Sequence, residues 1–308
     1  MPSLPKIPTI LFVLALVGLA RWPVESGMTE SFRDRGVLQK PLDVDMRDQL
    51  SQNAYVAAFG GFRSLIASLT ALQADVSWQN KEWGDVERKY EVVTALQPQV
   101  ESYWEAASWH MAYNAASYYL EDWNEHGVVD ELRREYWRRY IERGHQFLED
   151  GIRKNPESWK LRMLAGMLFS SRFMILDHAK ASEYFEAAFE TGGAPEYLRR
   201  RAVYELSYVP EKKQEAMRQL KELYDESPRH HTPVLLGTLL DLQLEFKAPA
   251  SELVPIRLFG ESAGGAAKEL GDYKLYRESL GGSVSLALDA LIVRLVNAAK
   301  KQQPPTTE

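Results

Sequence analysis

The chain has 308 residues, 45% hydrophobic and 26% charged, which is enough apolar content for a packed core and too much for wholesale disorder. Lys and Arg number 37 against 43 Asp and Glu, a net charge of -6, which argues against nucleic acid as the main partner because phosphate binding draws on a basic surplus. With no cysteine, disulfide frameworks, thiolate metal sites and a cysteine nucleophile are excluded, and the compartment stays open.

Ile7 to Ala20 carries no charge and ends at Arg21-Trp22-Pro23. This run is shorter than the roughly 20 residues that span a bilayer and is closer to a signal-peptide core. Trp22 fits an interfacial anchor, and Val24 extends the apolar stretch past Pro23. Residues 1–25 are therefore read as an export signal retained as an anchor helix, with the body on the extracytoplasmic side. Residues 26–41, polar and carrying Gly27, Gly36 and Pro41, read as a linker.

From Leu42 to Phe246 the period is helical almost throughout. Leu50, Ala54, Ala57 and Ala58 form one stripe before Gly60-Gly61, and Phe62, Leu65, Ile66, Leu69, Leu72 and Val76 form the next. No segment alternates at period two between hairpin turn pairs, so the expectation is an all-α body. Helix stops recur at Pro98, Pro156, Gly193 and Pro228. Twelve residues before them stand Val86, Gly144, Ala181 and Ala216; eight before, Tyr90, Leu148, Phe185 and Leu220; five before, Val93, Gly151, Ala188 and Leu223. Small residues let helices approach closely, and the larger one fills the groove between them.

This register resembles the second helix of the tetratricopeptide repeat. The stops are 58, 37 and 35 residues apart, and the last two approach that family's period of about 34. The resemblance covers roughly residues 65–246. First-helix positions fit less well, with Arg200, Val203, Tyr204 and Ser207 where Trp, Leu, Gly and Tyr are expected. Gly60 to Ala116 also looks like a family of exported or membrane-anchored bacterial repeat proteins with no defined activity. The resemblance implies an α-solenoid of tetratricopeptide-like hairpins behind an N-terminal anchor. An irregular helical bundle with ordinary helix stops would share the same punctuation.

Residues 247–308 read as an irregular C-terminal region, rich in small residues between Gly260 and Gly282, with a capping helix at 285–300 and a disordered tail. The capping helix carries Leu288, Leu291, Ile292 and Leu295 on one face and Leu286, Ala290 and Val293 on another.

Seven of the eight Trp lie between Trp78 and Trp159. On the helix from Gln99 to Leu120, Trp104, Ala107, Met111, Ala115 and Tyr118 step along a core-like face. Tyr103, His110 and Asn114 step along its neighbour, where imidazole and amide four residues apart can bond each other or present polar edges to a ligand. These three are the candidate partner-binding residues. The bland alternative is that such rings merely fill gaps between helices.

The six His residues give no metal-ligand spacing: His145 with Glu149 reads as a surface pair, and His230-His231 as a solvated loop. No phosphate-cradling glycine string or nucleophile elbow occurs. Arg133, Arg134, Arg138, Arg139 and Arg143 read as a solvated, ion-paired helix face. The expectation is thus a membrane-tethered protein-interaction scaffold, with no catalytic residue, cofactor or metal. The alternatives are an extracytoplasmic glycan- or peptide-binding module using the aromatic-rich first half, and a helical-toroid carbohydrate enzyme, which needs two carboxylates in one cleft. The sequence places no such pair, and Glu101 and Glu105, which share a face, read as acids suited to a helix start.

Overall fold

The computed structural model describes residues 23, 25–31, 61–121 and 129–302. The chain divides into two units, Met1–Phe62 and Arg63–Glu308. In the first, residues 25–31 are helical, with Ser26 Oγ donating to the Pro23 carbonyl at 3.2 Å and Thr29 Oγ1 to that of Glu25 at 2.7 Å.

The second unit is all-α. Its described helices are α1 (Arg63–Gln79), α2 (Trp83–Leu96), α3 (Glu101–Trp109), a π-helical segment (His110–Ala115), α4 (Ala116–Glu121), α5 (Asp130–Lys154), α6 (Trp159–Phe169), α7 (His178–Glu190), α8 (Tyr197–Leu206), α9 (Lys213–Glu226), α10 (Pro233–Glu245), α11 (Ala263–Ser279) and α12 (Leu286–Gln302). Their starts follow from local chemistry. Ser158, Asp177, Thr232 and Ser262 each accept a backbone N–H three residues on, which satisfies one orphan donor at the N-terminus of α6, α7, α10 and α11. Each such cap is worth about 1 kcal/mol.

All twelve positions of the recurring register are buried, on α2, α5, α7 and α9. Phe185 fills the seam between α6 and α7, where a Cβ on Gly166 would lie 2.9 Å from its ring. The register marks the buried faces of four helices and not a repeated unit. The expected tetratricopeptide solenoid is corrected here. A solenoid stacks equal units that touch only their neighbours. In this chain helices run from six to 25 residues. The long α5 lies along α3, the π segment and α4 and also meets α6, while α12 packs back on α10.

The anchor is corrected as well. No helix among the described residues is long and apolar enough to cross a membrane, which overturns the membrane partner, the tethered scaffold and the extracytoplasmic placement built on it. Residues 1–22 and 24, where that anchor was expected, lie outside the described residues.

Two apolar stripes also differ from expectation. On α1 only Ile66 of the expected stripe is buried, together with Ala67, Ala74 and Ser77, whereas Phe62, Leu65, Leu69, Leu72 and Val76 are exposed. The short side chains of Ala67, Ala74 and Ser77 let α2 approach on that side. At the other end, the stretch read as irregular contains the 17-residue α11. Its glycines weaken local propensity, and Leu270 and Tyr273, buried in the last hydrophobic cluster, supply the packing that offsets this. Residues 303–308, the expected tail, lie outside the described residues. On α12, Leu288 is buried and Leu291, Ile292 and Leu295 pack on the same cluster, while Leu286 and Val293 stay exposed. The helix caps the core with one face only.

His145 is buried and not a surface partner of Glu149. Its ring lies 3.7 Å from that of Phe169, and neither ring nitrogen has a hydrogen-bond partner. Burial, aided by the charge of Lys180, pushes its pKa down from 6.5 to about 4. The unfolded chain therefore takes up a proton below pH 6.5 that the folded chain refuses until about pH 4, so stability falls as pH drops through this window. The loss amounts to roughly 3 kcal/mol at most. His145→Phe should flatten the acid limb of the melting curve relative to wild type, as read by thermal midpoints across that window. Parallel curves for the two proteins would show that His145 does not carry the effect.

Candidate functional site

The aromatic-rich helix is held from behind by α5. A Cβ on Gly144 would lie 2.6 Å from that of Ala112 and 2.9 Å from the Ser108 carbonyl oxygen, so only glycine admits the π segment this closely. About two turns further on, Gly151 makes room for the Trp104 ring, whose indole N–H donates to the Pro98 carbonyl at 2.9 Å. Trp104, Ala107, Met111 and Ala115 form the buried side, as their spacing predicts. Tyr118, expected with them, instead faces a cleft.

The Arg-rich run on α5 fixes the same region from the side. Arg143 Nε donates to Glu87 Oε1 at 2.7 Å, Nη2 reaches Glu91, and Arg139 meets Glu87 at 3.6 Å. Arg143 and Arg139 cross-link α5 to α2, while Arg134, Arg138 and Arg139 stay exposed, as expected of a solvated, ion-paired face. Burial raises the Glu91 carboxyl above its ordinary value even though Arg143 opposes the shift.

Two clefts share Tyr113, and the first lies against α5 and α6. The first, of about 300 Å³, is mostly apolar: Ala106, Trp109, Leu148, Leu164 and Leu168 with Ser102, Glu105 and Ser108. Trp109 is 53% exposed and stacks on Tyr113 with ring centroids 4.6 Å apart. The second, of about 480 Å³, is lined by Trp78, Gln79, Lys81, Trp83, Asn114, Ser117, Tyr118 and Glu121 with Tyr113. Clefts of this size with aromatic walls and a few polar groups are typical ligand sites. The shared residue stands within a π-helical turn, a geometry that recurs at functional sites.

Trp83 and Lys81 carry unspent free energy at the second cleft. Trp83 is 5% exposed and its Nε1–H has no hydrogen-bond partner, a deficit of about 1–3 kcal/mol for a buried donor. Lys81 holds a left-handed backbone at φ +60°, which costs a non-glycine residue roughly 1 kcal/mol or more. Its ammonium lies over the Tyr118 ring, 5.0 Å from the centroid.

The three residues singled out from sequence divide. Asn114 lines the second cleft, and its Nδ2 pairs with His110 Nδ1 at 3.2 Å. Because an amide NH₂ can only donate, Nδ1 accepts and the neutral imidazole carries its proton on Nε2. Burial lowers the His110 pKa, with Asp75 opposing, which favours this neutral form. The His110 ring sits between Tyr90, at 5.3 Å, and Trp78, at 5.9 Å. It positions Asn114 rather than meeting the cleft. Tyr103 turns toward α1, its hydroxyl 3.5 Å from Ser68 Oγ. The sequence reading missed Trp83, Trp109 and Tyr113. Trp109 and Tyr113 were legible as a third stripe of that helix at helical spacing, whereas the unpartnered indole of Trp83 was not.

The remaining chemistry is structural. His230 is buried beside Arg200, with Nδ1 3.2 Å from Nη1, and His231 stacks on Tyr224 and bonds its carbonyl at 2.9 Å, so the pair is not a solvated loop. Among the described residues no cluster of His, Asp or Glu is built to hold a metal ion. Of the two acids at the start of α3, Glu105 lines the first cleft and Glu101 does not.

No family model, no curated protein and no solved structure matches this chain. The resemblance to tetratricopeptide repeats and to exported bacterial repeat proteins is thereby left without a matching family, in agreement with the unequal helices.

Gly144→Ala should lower stability by about 1–3 kcal/mol, because its Cβ meets backbone that cannot simply rotate away. Chemical denaturation measures it, and an unchanged midpoint would show that α5 can shift without cost.

Proposed function

We propose that this chain is a peptide-binding helical module whose ligand lies along the open face of α3, the π segment and α4. The observation that carries this reading is the pair of clefts that share Tyr113, with the exposed Trp109 of the first cleft stacked on it. Exposed aromatic surface beside a formed cavity favours a partner over solvent. The first cleft suits an apolar side chain and the second suits groups that hydrogen-bond. In this reading Asn114 contacts the ligand, His110 orients Asn114, and Tyr103 holds α3 against α1. No residue is assigned a catalytic step, metal or cofactor.

The test is selection of dodecapeptides from a displayed library on the wild-type protein, followed by affinity measurement on variants. Tyr113→Ala should cost about 2 kcal/mol of binding, roughly thirtyfold, since an aromatic at the centre of an interface carries much of its energy. The thermal midpoint should move little. Equal affinity of wild type and Tyr113→Ala for every selected peptide would place the binding surface elsewhere. Lys81→Gly should raise stability by about 1 kcal/mol through relief of its left-handed backbone while weakening peptide capture. Stabilisation without any loss of capture would remove Lys81 from the site.

A further inference from the structure

We infer that the side chain taken by the first cleft is an arginine, whose stem lies on the leucines while its guanidinium stacks on Trp109 and pairs with Glu105; this rests on the peptide-binding reading above. Glu105 is the one charged residue lining this cleft, and its other walls are aliphatic, aromatic or hydroxyl-bearing. Among the described residues no hydrogen bond or ion pair engages the Glu105 carboxylate. Nor does the helix account for it. Glu105 is the fifth residue of α3, past the first turn in which the dipole favours an acid, a place that Glu101 holds.

Glu105 and Trp109 stand four residues apart on α3, hence beside each other on one helix face. Elsewhere on this chain aromatic rings carry a cation of their own: Lys81 over Tyr118, Arg143 over Phe147 and Arg201 over Phe185. Trp109, 53% exposed, and its stacking partner Tyr113 carry none among the described residues. A free carboxylate next to an uncovered indole calls for a cation that can stack. The guanidinium is planar, lies on aromatic faces and forks onto a carboxylate through two N–H donors. Its methylene stem can be buried along Leu148, Leu164 and Leu168 while the charge stays at the mouth. Lysine brings a strongly hydrated point charge that gains less from stacking, and a wholly apolar side chain would desolvate Glu105 without pairing it. The second cleft carries Lys81 and Glu121 with opposite signs, so selection by charge falls to the first. The net charge of -6 favours the approach of a basic peptide.

The experiment selects two displayed dodecapeptide libraries on the full chain, one with arginine and the other with leucine fixed at the sixth position. The arginine library should give the tighter binders, and these should need Tyr113. They are then resynthesised with lysine or with citrulline, which keeps the shape of arginine and removes its charge. On the wild-type protein citrulline should weaken binding about tenfold and lysine about threefold. Glu105→Gln, at an exposed position, should weaken the arginine peptide about tenfold and leave the citrulline peptide unchanged. Glu105→Lys should turn the preference round, so that glutamate at the sixth position binds better than arginine. Equal affinity of the arginine and citrulline peptides for the wild-type protein would overturn the inference, and this arm needs no variant to fold. Lysine matching arginine would overturn the guanidinium assignment. Peptides that need Tyr113 but ignore Glu105 would sink the arginine site and leave the peptide-binding reading standing. If neither library yields a Tyr113-dependent binder, both fall together.

Discussion

The close crossing of α5 over the π segment is the constraint on which the site depends. At Gly144 there is no room for a side chain, so two backbones meet almost directly. This contact fixes the rear of the aromatic-rich helix, and Gly151 does the same for Trp104. Because one side of the helix is held so tightly, Trp109, Tyr113 and Asn114 on the other sides are not needed for packing against α5. The ion pairs of Arg143 with Glu87 and Glu91 tie α2 into the same block, so Trp83 and Lys81 at the start of that helix are held near the π segment. Interactions of this half-buried kind add modestly to stability, and their main effect is to fix register.

Buried polar groups at both ends of the body are in part paired and in part without partners. Around α10 and α11 most have partners. Asp241 accepts the Ser285 N–H at 2.9 Å, Gln243 bonds the Glu252 carbonyl at 2.8 Å and the Val254 N–H at 2.9 Å, and Tyr273 donates to Thr238 at 3.3 Å. Arg277 is buried with Nη1 donating to Ser207 Oγ at 2.8 Å and its guanidinium 3.6 Å from the Tyr208 centroid, although its Nε and the Tyr208 hydroxyl have no partner. The paired groups favour one packing because alternatives would strand them. At the second cleft, Trp83 likewise keeps an unpartnered donor, and Lys81 adds an unfavourable backbone. Local deficits of this sort persist only where surrounding contacts hold them, and they concentrate at functional sites.

The small-large-small register was legible in the sequence, and its twelve positions are buried. Its reading as a repeat was not correct, because glycine before leucine on α5 and alanine before phenylalanine on α7 satisfy the same packing rule with different neighbours. The stripe of α1 misled for a related reason: helical spacing identifies a face, but not which face a partner will cover. His145 and His230 were misplaced because local sequence carries no measure of burial by distant helices.

Composition and periodicity determined an all-α body, its helix stops and the aromatic concentration in the first half, since these depend on interactions within a few residues along the chain. The tertiary structure alone decided that Tyr113 stands between two clefts, that His110 turns inward while Asn114 faces out, and that the Trp83 indole finds no acceptor. Each of these depends on where α1, α2 and α5 lie around one helix. Their placement is set by close contacts such as Gly144 with Ala112, between residues 32 positions apart, which no local pattern encodes.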